Sequence, residues 1–404
     1  MTSLNIIIIV CLAVIFSYLF DAFARKTKFP SVLLLIIVGI ILRSIVDTTD
    51  YAIPNLDQLI PTLGTIGLIF IVLEGALELE ISKEKTGIIL TSLMAALVVM
   101  LGTTFSIYYI LENLTDLCPI ENLLMSIPFA VISSAVAIPS SSSFPKKIKE
   151  FIVYESTFSD ILGIIFFNFV MNHYNDGLDE FRVDSFYELV RDIFLVIIIA
   201  LIVTFLLMKM MQKLKQKVKF FLILSMLILS YALGKSQHLS ALIIVFIFGL
   251  FMNNASILIP KFLRGEDVDS EKSKKDLYDF HVITAETTFI TKTFFFLFFG
   301  FSIELSLFAD FDIYLFGFLL LAAIVLVRSI YYSLFHYKTF TPTSFIAPRG
   351  LISILLFTQI PKRFTDNSPI DQNELLIVIL GSMIWMLAGI LRFAEKEEKT
   401  KELH

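Results

Sequence analysis

Tyr154-Glu155-Ser156-Thr157-Phe158-Ser159-Asp160 sets two carboxylates inside a largely apolar run, residues 148–172. A helix through that run places Asp160 about twelve residues in, roughly 18 Å along the axis at 1.5 Å per residue. That depth is near the middle of a bilayer whose hydrocarbon core is about 30 Å thick. An ionisable residue there costs at least ~2.5–3.5 kcal/mol on insertion scales, so by default it marks function. Asp160 is therefore the first candidate for a functional residue.

The rest of the chain supports a membrane setting. Of its 404 residues, 57% are hydrophobic and only 17% charged, against about 25% charged in a soluble domain. The 41 Phe residues suit an outer surface that faces acyl chains. Apolar runs long enough to cross a bilayer fall at 4–23, 30–46, 58–79, 87–111, 120–140, 148–172 and 188–211. They continue at 218–234, 239–256, 280–306, 313–335, 344–361 and 374–393, about thirteen in all. The first has no basic n-region and is too long for a cleaved signal peptide, so it reads as a membrane helix.

Lys and Arg residues orient these spans. With the N-terminus outside, 23 of the 32 fall in loops assigned to the inside, including Lys83, Lys85, Lys146, Lys147, Lys149, Lys274 and Lys275. The outside loops hold Arg43, Arg182, Arg191, Lys235, Lys362 and Arg363, and three cations lie within spans. The expected topology is N-terminus outside and C-terminus cytoplasmic, in the plasma or inner membrane.

Several function classes are disfavoured. Cys11 and Cys118 provide neither a disulfide framework nor metal-ligand spacing. None of the five His forms an i, i+4 pair around a Glu, as metal-dependent hydrolysis would need. Ser140 to Ser143 have no His at comparable depth on a neighbouring span, and no Gly-x-Ser-x-Gly occurs, so an enzyme is not expected. No cofactor and no nucleic-acid partner are expected either.

Further charges sit where charge is costly. Span three carries Glu74 and Glu78, span ten Glu286 and Lys292, span eleven Arg328, and span twelve opens on Pro348-Arg349-Gly350. Glu78 fits an interfacial residue snorkelling to water, and Glu286 and Lys292 fit interfacial anchors equally well. Span five holds Pro128 and Pro139 around Ser133-Ser134-Ala135, and span twelve lies between Pro348 and Pro361. Interrupted helices at membrane depth are tolerated where they line a cavity, and inverted-repeat transporters use them to bind ions.

Glu155-Ser156-Thr157-Phe158-Ser159-Asp160 resembles the sixth-helix Glu-Ser-x-x-Asn-Asp signature of the monovalent cation/proton antiporter superfamily, in its NhaP-like sodium/proton exchanger branch, with Ser159 in place of Asn. Leu73-Glu74-Gly75-Ala76-Leu77-Glu78 is similar to the family's third-helix motif, Arg328 to its eleventh-helix basic residue, and Arg349-Gly350 to its turn into the broken twelfth helix. The resemblance implies an all-α integral membrane protein with about 13 transmembrane helices, in the inverted-repeat antiporter fold with spans 5 and 12 broken. Residues 1–86 and 188–306 would form a scaffold and dimer side, 87–172 and 313–393 a core, and 394–404 a short cytoplasmic tail.

It also implies roles. Asp160 would bind a monovalent cation or a proton alternately, with Ser156, Ser159, Ser133 and Ser134 supplying oxygens nearby. Glu155 would pair with Arg328, while Glu74, Arg349, Lys292 and Glu286 would be accessory. Family members often carry Thr-Asp-Pro in the broken fifth helix, and Ser133-Ser134-Ala135 stands there instead. With a single carboxylate, the expected function is electroneutral exchange of a cation, Na⁺ first, for H⁺ by a homodimer. A K⁺/H⁺ exchanger is the alternative, or a cation sensor or channel without coupled exchange.

Overall fold

A long apolar segment surrounded by acyl chains can satisfy its backbone N–H and C=O groups only as a helix or within a closed barrel. The computed structural model takes the first course: no strand occurs among the described residues, which are 3–27, 30–48, 59–175, 183–213, 219–237, 241–258, 271–303, 311–335, 343–366, 368 and 370–402. In chain order the helices are α1 (Ser3–Thr27), α2 (Ser31–Asp47), α3 (Leu59–Glu78), α4 (Thr86–Glu112), α5 (Pro119–Ala130), α6 (Ser134–Ser140), α7 (Lys146–Asn175) and α8 (Val183–Lys213). They continue with α9 (Lys219–Ser236), α10 (Leu242–Asn253), α11 (Ala255–Leu258), α12 (Glu271–Phe301), α13 (Phe311–Phe335), α14 (Leu351–Phe357), α15 (Lys362–Asp366) and α16 (Gln372–Glu402).

Among the described residues, eight helical segments are long and apolar enough to cross a membrane, and two shorter apolar helices are Cys11–Phe23 and Leu242–Asn253. Glu155, Asp160 and Asn168 make α7 more polar, and it is not one of the eight. Polar ends extend several helices past their apolar runs. Helix α12 begins at Glu271, nine residues before the apolar run at 280, because Glu-Lys-Ser-Lys-Lys-Asp-Leu is rich in good helix formers. Helix α16 runs on to Glu402 through the segment expected as a tail. Of the cations used to orient the spans, Lys28, Arg182, Lys215, Lys217, Lys261, Arg264 and Lys338 lie outside the described residues.

Two packing groups share the chain. In one, α12 lies against α2 and α3, and α10 against α3 and α8. In the other, α4 contacts α5, α7 and α13, and α13 contacts α16. The α2–α12 crossing rests on two glycines: a Cβ at Gly39 would lie 2.3 Å from Leu297 O, and one at Gly300 would lie 2.2 Å from Ile36 O. Small residues of this kind let membrane helices approach backbone to backbone. Helical stripes of large apolar side chains, such as Phe194, Ile198, Ile202 and Leu206 on α8, remain exposed on the outside, as a lipid-facing surface requires.

Candidate functional site

Pro128 removes a backbone donor from α5, and the helix ends at Ala130. Val131 and Ser133 are extended, and helix resumes at Ser134. Residues 346–350 also lack helix before α14 begins. These two unwound stretches cross: the Ser133 N–H donates to Pro348 O at 2.8 Å. Gly350 permits the approach, since a Cβ there would sit 2.7 Å from Ser133 Oγ. Its φ of −174° is ordinary extended backbone, so contact rather than conformation asks for glycine.

Breaking a helix strands the carbonyls of its last turn. Arg349, buried between the two stretches, collects them: Nε donates to Phe129 O at 2.7 Å, one Nη to Ala130 O at 3.3 Å, and the other to Ala347 O at 2.7 Å. Its positive charge also complements the negative end of α5. Ser382 of α16 holds the backbone, accepting the Arg349 N–H at 2.9 Å.

Helix α7 presents Asp160 to the first break. The Ser134 N–H donates to Asp160 Oδ2 at 3.3 Å, and the Ser134 hydroxyl faces the same carboxylate. Ser159 Oγ accepts the Ile132 N–H at 3.0 Å, which satisfies a donor of the unwound segment. One turn of α7 further on, a Cβ at Gly163 would fall 2.3 Å from Val131 Cγ2, so its bare backbone admits the extended chain. Asp160 is 2% exposed, and its Oδ1 has no hydrogen-bond partner among the described residues. A buried carboxylate oxygen left open in this way is unusual and suits a ligand that comes and goes. The Ser156 hydroxyl, one turn before Asp160, donates to Ile152 O at 2.8 Å and so keeps its lone pairs.

Glu155 points elsewhere. Arg328 of α13 holds it through two bonds of 2.7 and 2.9 Å, and also donates to Thr343 O and Ile346 O, with its guanidinium 4.7 Å from the Tyr332 ring centroid. Opposite charge beside Asp160 would favour its ionised form; Arg328 is instead committed to Glu155.

The accessory candidates separate. Lys292 of α12 reaches Glu74 of α3 at 3.5 Å. Glu286 lies on the exposed side of α12 with no polar partner among the described residues, and the structure does not bring it into this group. Glu78 lines a cleft of about 560 Å³ together with Lys146, Lys149, Tyr154, Lys274 and His281. At its rim Lys85 bridges Glu80 at 2.6 Å and Glu150 at 3.0 Å, and the hydrogen bond from Lys85 holds the Glu80 carboxyl below its usual range. Sequence reasoning missed the clamp beneath it. The Asn254 side chain pairs with both Leu79 O and the Ile81 N–H, each at 2.7 Å, and the Tyr154 hydroxyl donates to Glu80 O at 2.6 Å. Backbone partners leave no mark on a side-chain pattern, so nothing in the sequence announced them.

Taken together, one buried carboxylate held by the N–H and hydroxyl of Ser134 can take up a hard monovalent cation or a proton. No group of three or more His, Cys, Asp or Glu positioned to hold a metal ion occurs among the described residues.

A family model described as sodium/hydrogen exchanger, transmembrane, matches residues 10–392. No curated protein sequence matches the chain. Among solved structures, the fold is similar to that of the sodium proton antiporter MjNhaP1 from Methanocaldococcus jannaschii at pH 8, with 19% identity, 95% of each chain covered and a TM-score of 0.70. An electron-microscopy map of the same antiporter matches with 21% identity, 98% of this chain and 96% of that chain covered, and a TM-score of 0.70. At such identities these likenesses speak for the fold.

Proposed function

This chain belongs to the sodium/hydrogen exchanger family, and from that premise we propose that it exchanges Na⁺ for H⁺ one for one, both ions using Asp160 in turn. The observation that carries the proposal is the buried Asp160 carboxylate, with Oδ2 held by Ser134 and Oδ1 open.

Cation and proton compete for the single negative charge, so binding of one displaces the other. Ser134, Ser133 and Ser156 supply hydroxyl or carbonyl oxygens around a bound cation, and Ser159 fixes the unwound chain that carries two of them. Arg349 and the Glu155–Arg328 pair keep the two broken segments in place, and Glu74 with Lys292 supports the neighbouring wall. Ser134 stands where relatives often carry a second carboxylate, which supports electroneutral rather than electrogenic exchange.

Access alternates as the group containing α4 to α7 and α13 to α16 moves against the remaining helices. The protein lies in the plasma or inner membrane with its N-terminus outside and its C-terminus cytoplasmic. About thirteen crossings in an inverted repeat and a homodimer built on the scaffold side complete the reading.

The test is ΔpH dissipation in proteoliposomes on adding Na⁺, Li⁺ or K⁺, with wild type beside Asp160→Asn. Sodium-dependent dissipation abolished by the substitution is expected. A response to K⁺ alone would transfer the reading to K⁺/H⁺ exchange. No response from folded, inserted wild type would overturn exchange in favour of a sensor.

A further inference from the structure

Beyond Asp160 on α7, Ile164 and Asn168 follow one and two turns later along the same face. Both line a small cavity of about 20 Å³, together with Tyr231 and Lys235 of α9 and Leu355 of α14. The large cleft touches α7 on the other side of Asp160, through Glu150, Val153 and Tyr154. Two cavities therefore flank the carboxylate along one helix, a wide one toward the lysine-rich face and a nearly shut one toward the opposite face.

The small cavity is polar where packing alone would not ask for it. Asn168, Gln359, Tyr231 and Lys235 line a space whose other walls are Leu, Ile and Ala, and Lys235 is exposed beyond it. Lys235 has no anionic partner among the described residues. A lysine at a helix end in a membrane commonly snorkels to the interface, but this one also borders the cavity that Ile164 and Asn168 line one and two turns beyond Asp160. Low-dielectric walls focus the field of such a charge into the adjoining cavity.

We propose that Lys235 is a specificity-determining residue at the far mouth of the transport pathway, where its positive charge opposes entry of cations from the face opposite the cleft. The inference rests on the exchange reading above. Cations reaching Asp160 through the cleft do not pass Lys235, so the two faces differ in apparent affinity while sharing one site. A cation loaded from the cleft is thereby disfavoured from rebinding once released.

The experiment measures the KM for Na⁺ separately at each face, in vesicles of defined orientation, for wild type, Lys235→Gln and Lys235→Arg. Lys235→Gln is expected to lower KM at the far face by roughly three- to tenfold, as loss of one partly screened charge allows. KM at the cleft face stays unchanged, and Lys235→Arg behaves as wild type. An equal change at both faces, or none at the far face, overturns the proposal.

A second measurement needs no transport. Asn168→Cys, in a chain with Cys11→Ser and Cys118→Ser, is reacted from the far face with anionic and cationic methanethiosulfonates. With each rate taken relative to that of the same reagent with a free thiol in solution, the anionic-to-cationic ratio is expected to exceed one and to fall toward one with Lys235→Gln. A ratio indifferent to Lys235, or no reaction from that face in any variant, overturns the proposal. A protein inactive in exchange would sink the functional reading and leave Lys235 to be judged by this labelling.

Discussion

Arg328 and Glu155, 173 residues apart in the chain, meet through two parallel hydrogen bonds of 2.7 and 2.9 Å with neither side chain more than 2% exposed. Burying such a pair rarely adds net stability, but removing one member leaves an uncompensated charge and costs about 3–5 kcal/mol. Glu155→Gln and Arg328→Met are each expected to lower the unfolding temperature in detergent markedly. The double variant should lose less than the two single losses combined, because no lone charge remains. Single variants as stable as wild type would show that the pair holds nothing in register.

How much of this was legible beforehand differs from residue to residue. Asp160 could be placed by counting, because an apolar run the length of a bilayer fixes depth to within a turn or so. The helices could be read for the same reason, although polar ends such as residues 271–279 are invisible to a hydropathy count. The partnership of Glu155 with Arg328 was not readable from spacing at all and entered only through resemblance. Which way Glu286 faces on α12 could not be read from a segment whose polar and apolar residues are not sorted onto separate faces. Least legible were contacts with backbone: the carbonyls gathered by Arg349, the Leu79 C=O and Ile81 N–H held by Asn254, and the Glu80 carbonyl held by Tyr154. Every residue has the same backbone groups, so no side-chain pattern announces them.

Arg349→Lys separates charge from shape. The guanidinium serves Phe129, Ala130 and Ala347 with three nitrogens of a rigid fork, and a single ammonium cannot reach all three carbonyls. Each buried carbonyl left unpaired costs about 1–3 kcal/mol. Thermal stability and ΔpH-driven exchange should therefore fall nearly as far in Arg349→Lys as in Arg349→Gln. Wild-type behaviour from the lysine variant would mean that charge alone holds the broken helix.

Gly163→Ala tests whether the seat of Val131 sets the site. The new methyl would meet Val131 Cγ2 at 2.3 Å and its Cβ at 3.3 Å, so the extended chain must shift away from α7. Overpacking of this order costs about 1–3 kcal/mol, and the shift carries Ser134 with it. The expected result is a raised KM for Na⁺, restored in large part by adding Val131→Ala. Failure of the second substitution to rescue would place the defect somewhere other than this contact.

The dependence of KM on pH counts the protons that compete at the site. If Asp160 alone binds either ion, protonation removes the site from the cation, so KM rises as pH falls while the maximal rate at saturating Na⁺ stays level. Well below the pH at which half the sites are protonated, log KM should climb by one unit for each unit of falling pH. Two carboxylates exchanging together would steepen that climb toward two and would move net charge in each cycle. Ser134 at the break supplies a hydroxyl where a second carboxylate would stand, so the shallow slope is expected, with no current under a clamped membrane potential. Measuring initial rates of Na⁺ uptake across a pH series, with the internal pH held constant, decides the matter. A limiting slope near two, or a sodium-driven current, would require a second titrating group that couples to Asp160.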